Sequence, residues 1–205
     1  MAFEKYWNDV YKRISGGKPT YDNWLDKYLG LIKKTKGVIL DLGCGLGNDS
    51  LFLTERGFDV LSVDYSTQAI KNVKRIIPKA KTKIVDISKK LPFKDEEFEV
   101  VIADLSLHYF DNKTTTEIMK EIKRILKVGG YLFARVNSVD DVNYGAGQGE
   151  KLEDNYYFVD GYNKRFFSFD DINKYFFVIG EVEAHEADML RYEKAKKVIE
   201  VKVTK

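Results

Sequence analysis

The chain has 205 residues, 44% of them hydrophobic, which is enough to bury one substantial core and fits one α/β domain better than two with separate cores. Lys+Arg 34 against Asp+Glu 32 leaves a formal charge of +2 with the two signs interspersed, a balance that disfavours a nucleic-acid partner. Cys44 is the single cysteine and His108 and His185 lie far apart, so no internal disulfide and no metal-ligand spacing is expected; without a signal-like start or a run near the roughly 20 apolar residues of a membrane span, a soluble cytoplasmic protein without membrane association is expected.

In chain order, Glu4 to Ile14 and Asp22 to Lys34 carry apolar groups at helical spacing, broken by Ser15-Gly16-Gly17-Lys18-Pro19. A strand at Val38–Leu40 runs into a glycine-rich turn, and a helix from Asn48 to Arg56 closes at Gly57. Val60–Asp64 reads as a second strand, Ser66 as the N-cap of a helix reaching about Ile77, and Lys83–Asp86 as a short third strand. Phe98–Ala103 is apolar enough for a strand buried on both faces of a parallel sheet. A helix from about Thr114 to Leu126, ended by Gly129-Gly130, leads to a fifth strand at Tyr131–Val136.

The stretch from Asp140 to Asn163 shows no periodicity and is expected to be a long irregular loop. Ser168 then caps a short helix, Phe169–Tyr175, and two last strands, about Val178–Ala187 and Lys197–Val203, form an antiparallel pair. The alternation predicts an α/β fold: one Rossmann-like, doubly wound, seven-stranded sheet, mostly parallel with an antiparallel C-terminal strand. Residues 1–205 would be a single domain, with N-terminal helices over 1–35 and the core over 36–205.

The chemistry concentrates where strands end. In Asp41-Leu42-Gly43-Cys44-Gly45-Leu46-Gly47 a strand gives way to a tight glycine turn that opens a helix, a device that lets a ligand approach the backbone closely. The dinucleotide fingerprint G-x-G-x-x-G is absent, and a carboxylate before the turn suits a cationic ligand better than a pyrophosphate. The turn alone still admits a NAD-type oxidoreductase.

This segment resembles the cofactor turn of class I S-adenosylmethionine-dependent methyltransferases. Asp64 and Asp86 at the next two strand ends, Asp104-Leu105-Ser106-Leu107-His108 after the fourth strand, and Leu126-Lys127-Val128-Gly129-Gly130 follow that family's order and spacing over about residues 36–137. The resemblance implies that Asp64 accepts hydrogen bonds from ribose hydroxyls and Asp86 meets the adenine amino group. It implies further cofactor contacts at Asp41, Gly43, Cys44, Gly45, Gly47, Tyr65, Ile87, Asp104 and Leu105. S-Adenosylmethionine would be the cofactor, S-adenosylhomocysteine the product, and a small molecule the methyl acceptor. A narrower resemblance, carried by Asn143-Tyr144-Gly145-Ala146-Gly147 and Arg165-Phe166-Phe167-Ser168, points to small bacterial methyltransferases of the tellurite-resistance type.

Other readings of single residues stay open. Asp41 could cap the glycine turn, Asp86-Ile87-Ser88 could be a helix cap, and Cys44 suits a small structural position. His108 is the candidate general base or a wall residue, and a buried, hydrogen-bonded histidine is the other possibility. Tyr6, Trp7 and Tyr11 either pack the first helix on the sheet or form a lid. No Asn/Asp-Pro-Pro-aromatic element follows the fourth strand, and no cysteine is placed for attack on cytosine, so base methylation is disfavoured. A non-catalytic cofactor-binding module is the alternative from another class. The acceptor and the oligomeric state are not legible.

Overall fold

The computed structural model describes residues 2–14, 17–190 and 192–205. Ser15 and Gly16, expected in the first break, lie outside the described residues. Helix α1 (Ala2–Arg13) is followed by a 3-10 turn (Asp26–Tyr28) and the one-turn α2 (Leu29–Ile32). Then come β1 (Ile39–Leu42), α3 (Asn48–Glu55), β2 (Val60–Asp64), α4 (Thr67–Ile76), β3 (Lys81–Ile84) and β4 (Phe98–Asp104). Next are α5 (Asn112–Ile125), β5 (Leu126–Asn137), a 3-10 turn (Val142–Tyr144), β6 (Glu150–Glu153), β7 (Tyr156–Val159) and β8 (Tyr162–Arg165). The chain closes with α6 (Phe169–Phe176), β9 (Glu181–Met189) and β10 (Lys196–Thr204).

Seven strands form one sheet in the order β3-β2-β1-β4-β5-β10-β9. Strands β1 to β5 pair in parallel, while β10 runs antiparallel to both β5 and β9, so β10 alone opposes the rest. The Rossmann-like α/β sheet expected from the sequence is therefore present. Its order reverses between β1 and β4, and such a reversal opens a crevice at the carboxyl ends of the strands.

The sheet is covered on both faces, and β4 shows how. Val101 and Ala103 point into a cluster with Ile118, Met119 and Ile122 of α5 and Phe176 of α6. Their neighbours Val100 and Ile102 join Trp24, Ile32 and Phe52 on the other face. Successive strand side chains alternate between faces, so a strand covered twice must be apolar throughout. Helix ends follow local chemistry: the Ser66 hydroxyl accepts from Ala69 N at 3.1 Å, and Ser168 and Asp171 form a reciprocal capping box.

Four expectations need correction. The helix expected over Asp22–Lys34 shrinks to a 3-10 turn and one α-turn, because its early side chains are drawn into tertiary contacts: Asp22 accepts from Arg135, and the Trp24 indole donates to Asp49. Strand β3 lies earlier than expected, with Ile84 paired to Asp64, so Asp86 sits two residues beyond the strand rather than at its end. Helix α5 passes directly into β5 at Leu126, and Gly129-Gly130 fall inside that strand, beside an irregular register with β4.

The stretch 140–163 is not an irregular loop. It carries a three-stranded antiparallel sheet, β6-β7-β8. Asp160 and Gly161 join β7 to β8 with both residues at positive φ (55° and 86°), which is the geometry of a two-residue hairpin turn. Among the described residues no helix is long and apolar enough to cross a membrane.

Candidate functional site

A cavity of about 820 Å³ opens at the carboxyl ends of β1, β2 and β4. One end is built by the turn after β1. Gly43 N and Cys44 N both donate to Val63 O (2.8 and 2.9 Å), tying the turn to β2. Gly43 has φ +82°, and a Cβ there would lie 2.3 Å from Ser106 Cβ, whose hydroxyl is fixed on Leu42 O at 2.6 Å. At Gly45 a Cβ would come within 2.9 Å of the Tyr11 hydroxyl of α1. The turn is glycine because the fold presses on it from two sides.

Carboxylates gather around that turn. Asp64 accepts from Gly45 N (2.9 Å) through Oδ2 and from Ser66 N (2.8 Å) through Oδ1, so two backbone amides aim it. Burial nonetheless pushes its carboxyl above the ordinary range. Asp41, buried beneath the turn, accepts from the Ser50 hydroxyl at 2.5 Å. Burial, and then the neighbouring charges of Asp104 and Asp64, push its pKa up to about 7. Asp104 is gripped by Arg135, and Asp86 accepts from both the amide (2.9 Å) and the hydroxyl (2.6 Å) of Ser88 in a tight turn with no helix after it.

Of the residues singled out in the sequence, Asp41, Gly43, Cys44, Gly45, Asp64, Tyr65, Asp86, Ile87, Asp104, Leu105 and His108 all line this one cavity. Gly47 does not. It lies at the start of α3, where a Cβ would press Val73 of α4 at 3.0 Å, so its place is explained by packing. Cys44 is buried, and burial raises its thiol well above the usual range, which suits an unreactive wall. Helix α1 lies against α4, with Asn8 accepting from Ser66 Oγ at 2.6 Å and Gln68 N at 3.2 Å, while Trp7 and Tyr11 line the cavity. His185 stands exposed on β9, 3.4 Å from Glu200 and away from the cavity.

At the other end of the cavity only His108 was singled out by the sequence as a site residue. It holds His108 and Tyr109 after β4, Asn137 at the end of β5, Tyr162 and Lys164 of β8, and Tyr144, Tyr192 and Lys196. His108 is buried, and its Nδ1 has no hydrogen-bond partner among the described residues; the same holds for Asn137 Oδ1. Burial first, and then the charges of Lys196 and Lys164, hold the His108 imidazole well below the ordinary range, so it is neutral at physiological pH. No spacing could have joined His108 to Asn137, Tyr144, Tyr162, Lys164, Tyr192 and Lys196, because they come from segments far apart in the chain.

Residues 40–134 match a family model described as a methyltransferase domain. An uncharacterized methyltransferase of Synechocystis is 33% identical over 48% of this chain and 46% of its own length. A Haemophilus influenzae protein named probable S-adenosyl-L-methionine-dependent methyltransferase TehB is 30% identical over 51% of this chain and 37% of its own. The chain thus spans about half or less of the length of these curated relatives. Among solved structures, a Methanosarcina mazei protein described as a SAM-dependent methyltransferase superimposes with a TM-score of 0.69 at 20% identity, covering 85% of this chain and 96% of that one. That likeness speaks for the fold.

Proposed function

We infer, from the match of residues 40–134 to a methyltransferase domain, that this protein is a class I methyltransferase that moves a methyl group from S-adenosylmethionine to a small-molecule acceptor. The observation that carries the inference is Asp64. Its carboxylate, aimed by Gly45 N and Ser66 N, stands at the end of β2 beside the glycine turn and lines the same cavity. The donor set fits the cofactor: ribose hydroxyls and an amino acid ammonium need acceptors, and Asp41, Asp64, Asp86 and Asp104 all line this end. A pyrophosphate, as in NAD, would meet like charge there.

Asp64 would hold the ribose hydroxyls, Asp86 and Ile87 the adenine, and Asp41 and Asp104 the cationic side, with Tyr65 and Leu105 as walls. When bound, the cofactor would supply an electrophilic methyl on a sulfonium, with the thioether as leaving group. The protein's contribution is alignment, which alone can be worth on the order of 7–11 kcal/mol. For a hydroxyl or amine acceptor the departing proton has a neutral receiver in His108. The cavity volume lies in the range typical of small-molecule sites. We also read the whole chain as one domain, since β9 and β10 extend the sheet that β1 begins.

The test is calorimetric titration with S-adenosylhomocysteine and with NAD, followed by labelled-methyl transfer to hydroxyl, amine and thiol acceptors. Binding and transfer are expected. Binding without transfer to any acceptor would favour a non-catalytic module, and binding of NAD alone would overturn the function.

A further inference from the structure

The cavity is polarised. Among the described residues, every carboxylate that lines it (Asp41, Asp49, Asp64, Asp86, Asp104) belongs to the glycine-turn half or to the strand ends beside it. The lysines that line it, Lys164 and Lys196, both stand at the other end and are buried. Each has a carboxylate partner: Lys164 donates to Asp160 at 2.7 Å and Lys196 to Asp141 at 2.6 Å. Neither Asp160 nor Asp141 lines the cavity, so each pair turns its positive end inward. Lys164 also donates to Tyr144 O at 3.1 Å, and an ammonium has three donors.

Beside these ammonium groups lies an aromatic cluster. Trp7, Tyr109 and Tyr162 pack with ring centroids 5.2 to 6.2 Å apart, and all three line the cavity. Such a cluster could take a cation, but the Tyr162 face is already served, as are the neighbouring Tyr144 and Tyr192 rings. Lys164 Nζ lies 4.7 Å from the Tyr162 ring, and Lys196 Nζ lies 4.7 Å from Tyr144 and 5.7 Å from Tyr192. A second cation would meet like charge.

We propose that this end of the cavity takes a planar anion, an aromatic or heteroaromatic acid, with its acidic group on Lys164 and its ring against Trp7, Tyr109 and Tyr162. As the methyl acceptor, this occupant presupposes the function proposed above. The field at His108 agrees in sign, since the two lysines outweigh Asp104 there. Nδ1 of His108 and Oδ1 of Asn137 are further polar atoms of the site without a hydrogen-bond partner among the described residues. Opposite ends for a cationic cofactor and an anionic acceptor would also orient the two against each other.

The experiment titrates the full chain with hydroxybenzoates, their neutral amides and tyramine, with and without saturating S-adenosylhomocysteine. The acids should bind about ten- to hundredfold tighter than the amides, as for a hydrogen bond to a charged group. Lys164→Met should lose most of that preference and Lys164→Arg keep it, while both still bind S-adenosylhomocysteine. Amides or tyramine binding as well as the acids, or no binding of the acids to a protein that binds S-adenosylhomocysteine, would overturn the proposal. Preference for acids without S-adenosylhomocysteine binding would support the anion site and overturn only the cofactor function. The unmodified protein's selectivity decides the matter even if Lys164→Met does not fold.

Discussion

Arg135 and Asp104 are register partners on adjacent strands, and they lock together through two parallel hydrogen bonds, Nε to Oδ1 at 2.7 Å and Nη2 to Oδ2 at 2.8 Å. The same guanidinium reaches Asp22 at 2.9 Å and lies 4.5 Å from the Trp24 ring. Arg135→Met would leave the buried Asp104 carboxylate without its fork and should cost about 3–5 kcal/mol in urea unfolding. The double variant Arg135→Met/Asp104→Leu should recover much of that loss. If it is no more stable than the single one, the pair is not the source of the effect.

The raised Asp41 carboxyl makes ligand-free stability depend on pH. Its unfolded value is about 3.9, so the stabilisation it gives is complete below about pH 4 and is lost as pH rises through about 7. Asp41→Asn should therefore lose less stability than the parent as pH rises from about 4 to about 7. A cationic ligand favours the charged carboxylate. S-Adenosylmethionine affinity should fall as pH drops below about 7, by up to about tenfold per unit, and calorimetry in buffers of different ionisation enthalpy should detect proton release.

Asp64→Ala should weaken S-adenosylhomocysteine binding by about 1–3 kcal/mol, measured by calorimetry. Part of that loss is indirect, because the amides of Gly45 and Ser66 would lose their acceptor. Asp64→Asn keeps an acceptor oxygen and should fall between the two. Equal affinities in all three proteins would remove Asp64 from the site.

Gly43→Ala meets two obstacles, a positive φ and a Cβ overlapping Ser106. The strained backbone alone should cost about 1–3 kcal/mol, with the clash added to it. Pairing it with Ser106→Gly removes the clash and leaves the strain, so thermal denaturation should show partial rescue. Full rescue would mean that backbone strain contributes nothing.

His108→Asn should slow methyl transfer to a hydroxyl acceptor by about a hundredfold or more and leave transfer to a thiolate nearly unchanged, because a thiolate has no proton to lose. An equal loss on both acceptors would make His108 a wall of the cavity instead of a base.

The carboxylate end of the cavity could be read from the sequence because it is local: Asp64 and Asp104 each close a strand, and Asp41 stands one residue before the end of β1, in strands whose apolar runs announce them. Asp86 was found although β3 was misplaced, since an exposed edge strand such as Lys81–Ile84 carries little apolar signal. The sheet on 140–163 had one local mark, the Asp160-Gly161 turn, but β6 and β7 lack the clean alternation of a half-buried strand. Lys164 and Lys196 left no mark at all. A buried lysine is chosen by a partner such as Asp160 or Asp141, and only folding brings Lys196 to Asp141, 55 residues away.

The cavity's two ends draw on different lengths of chain. The carboxylate end comes from residues 41–104, whereas the tyrosines and lysines opposite, Tyr109 apart, come from residues beyond β5. Substitutions in β8 or just before β10 would therefore alter one end of the cavity while leaving the glycine turn and its carboxylates in place.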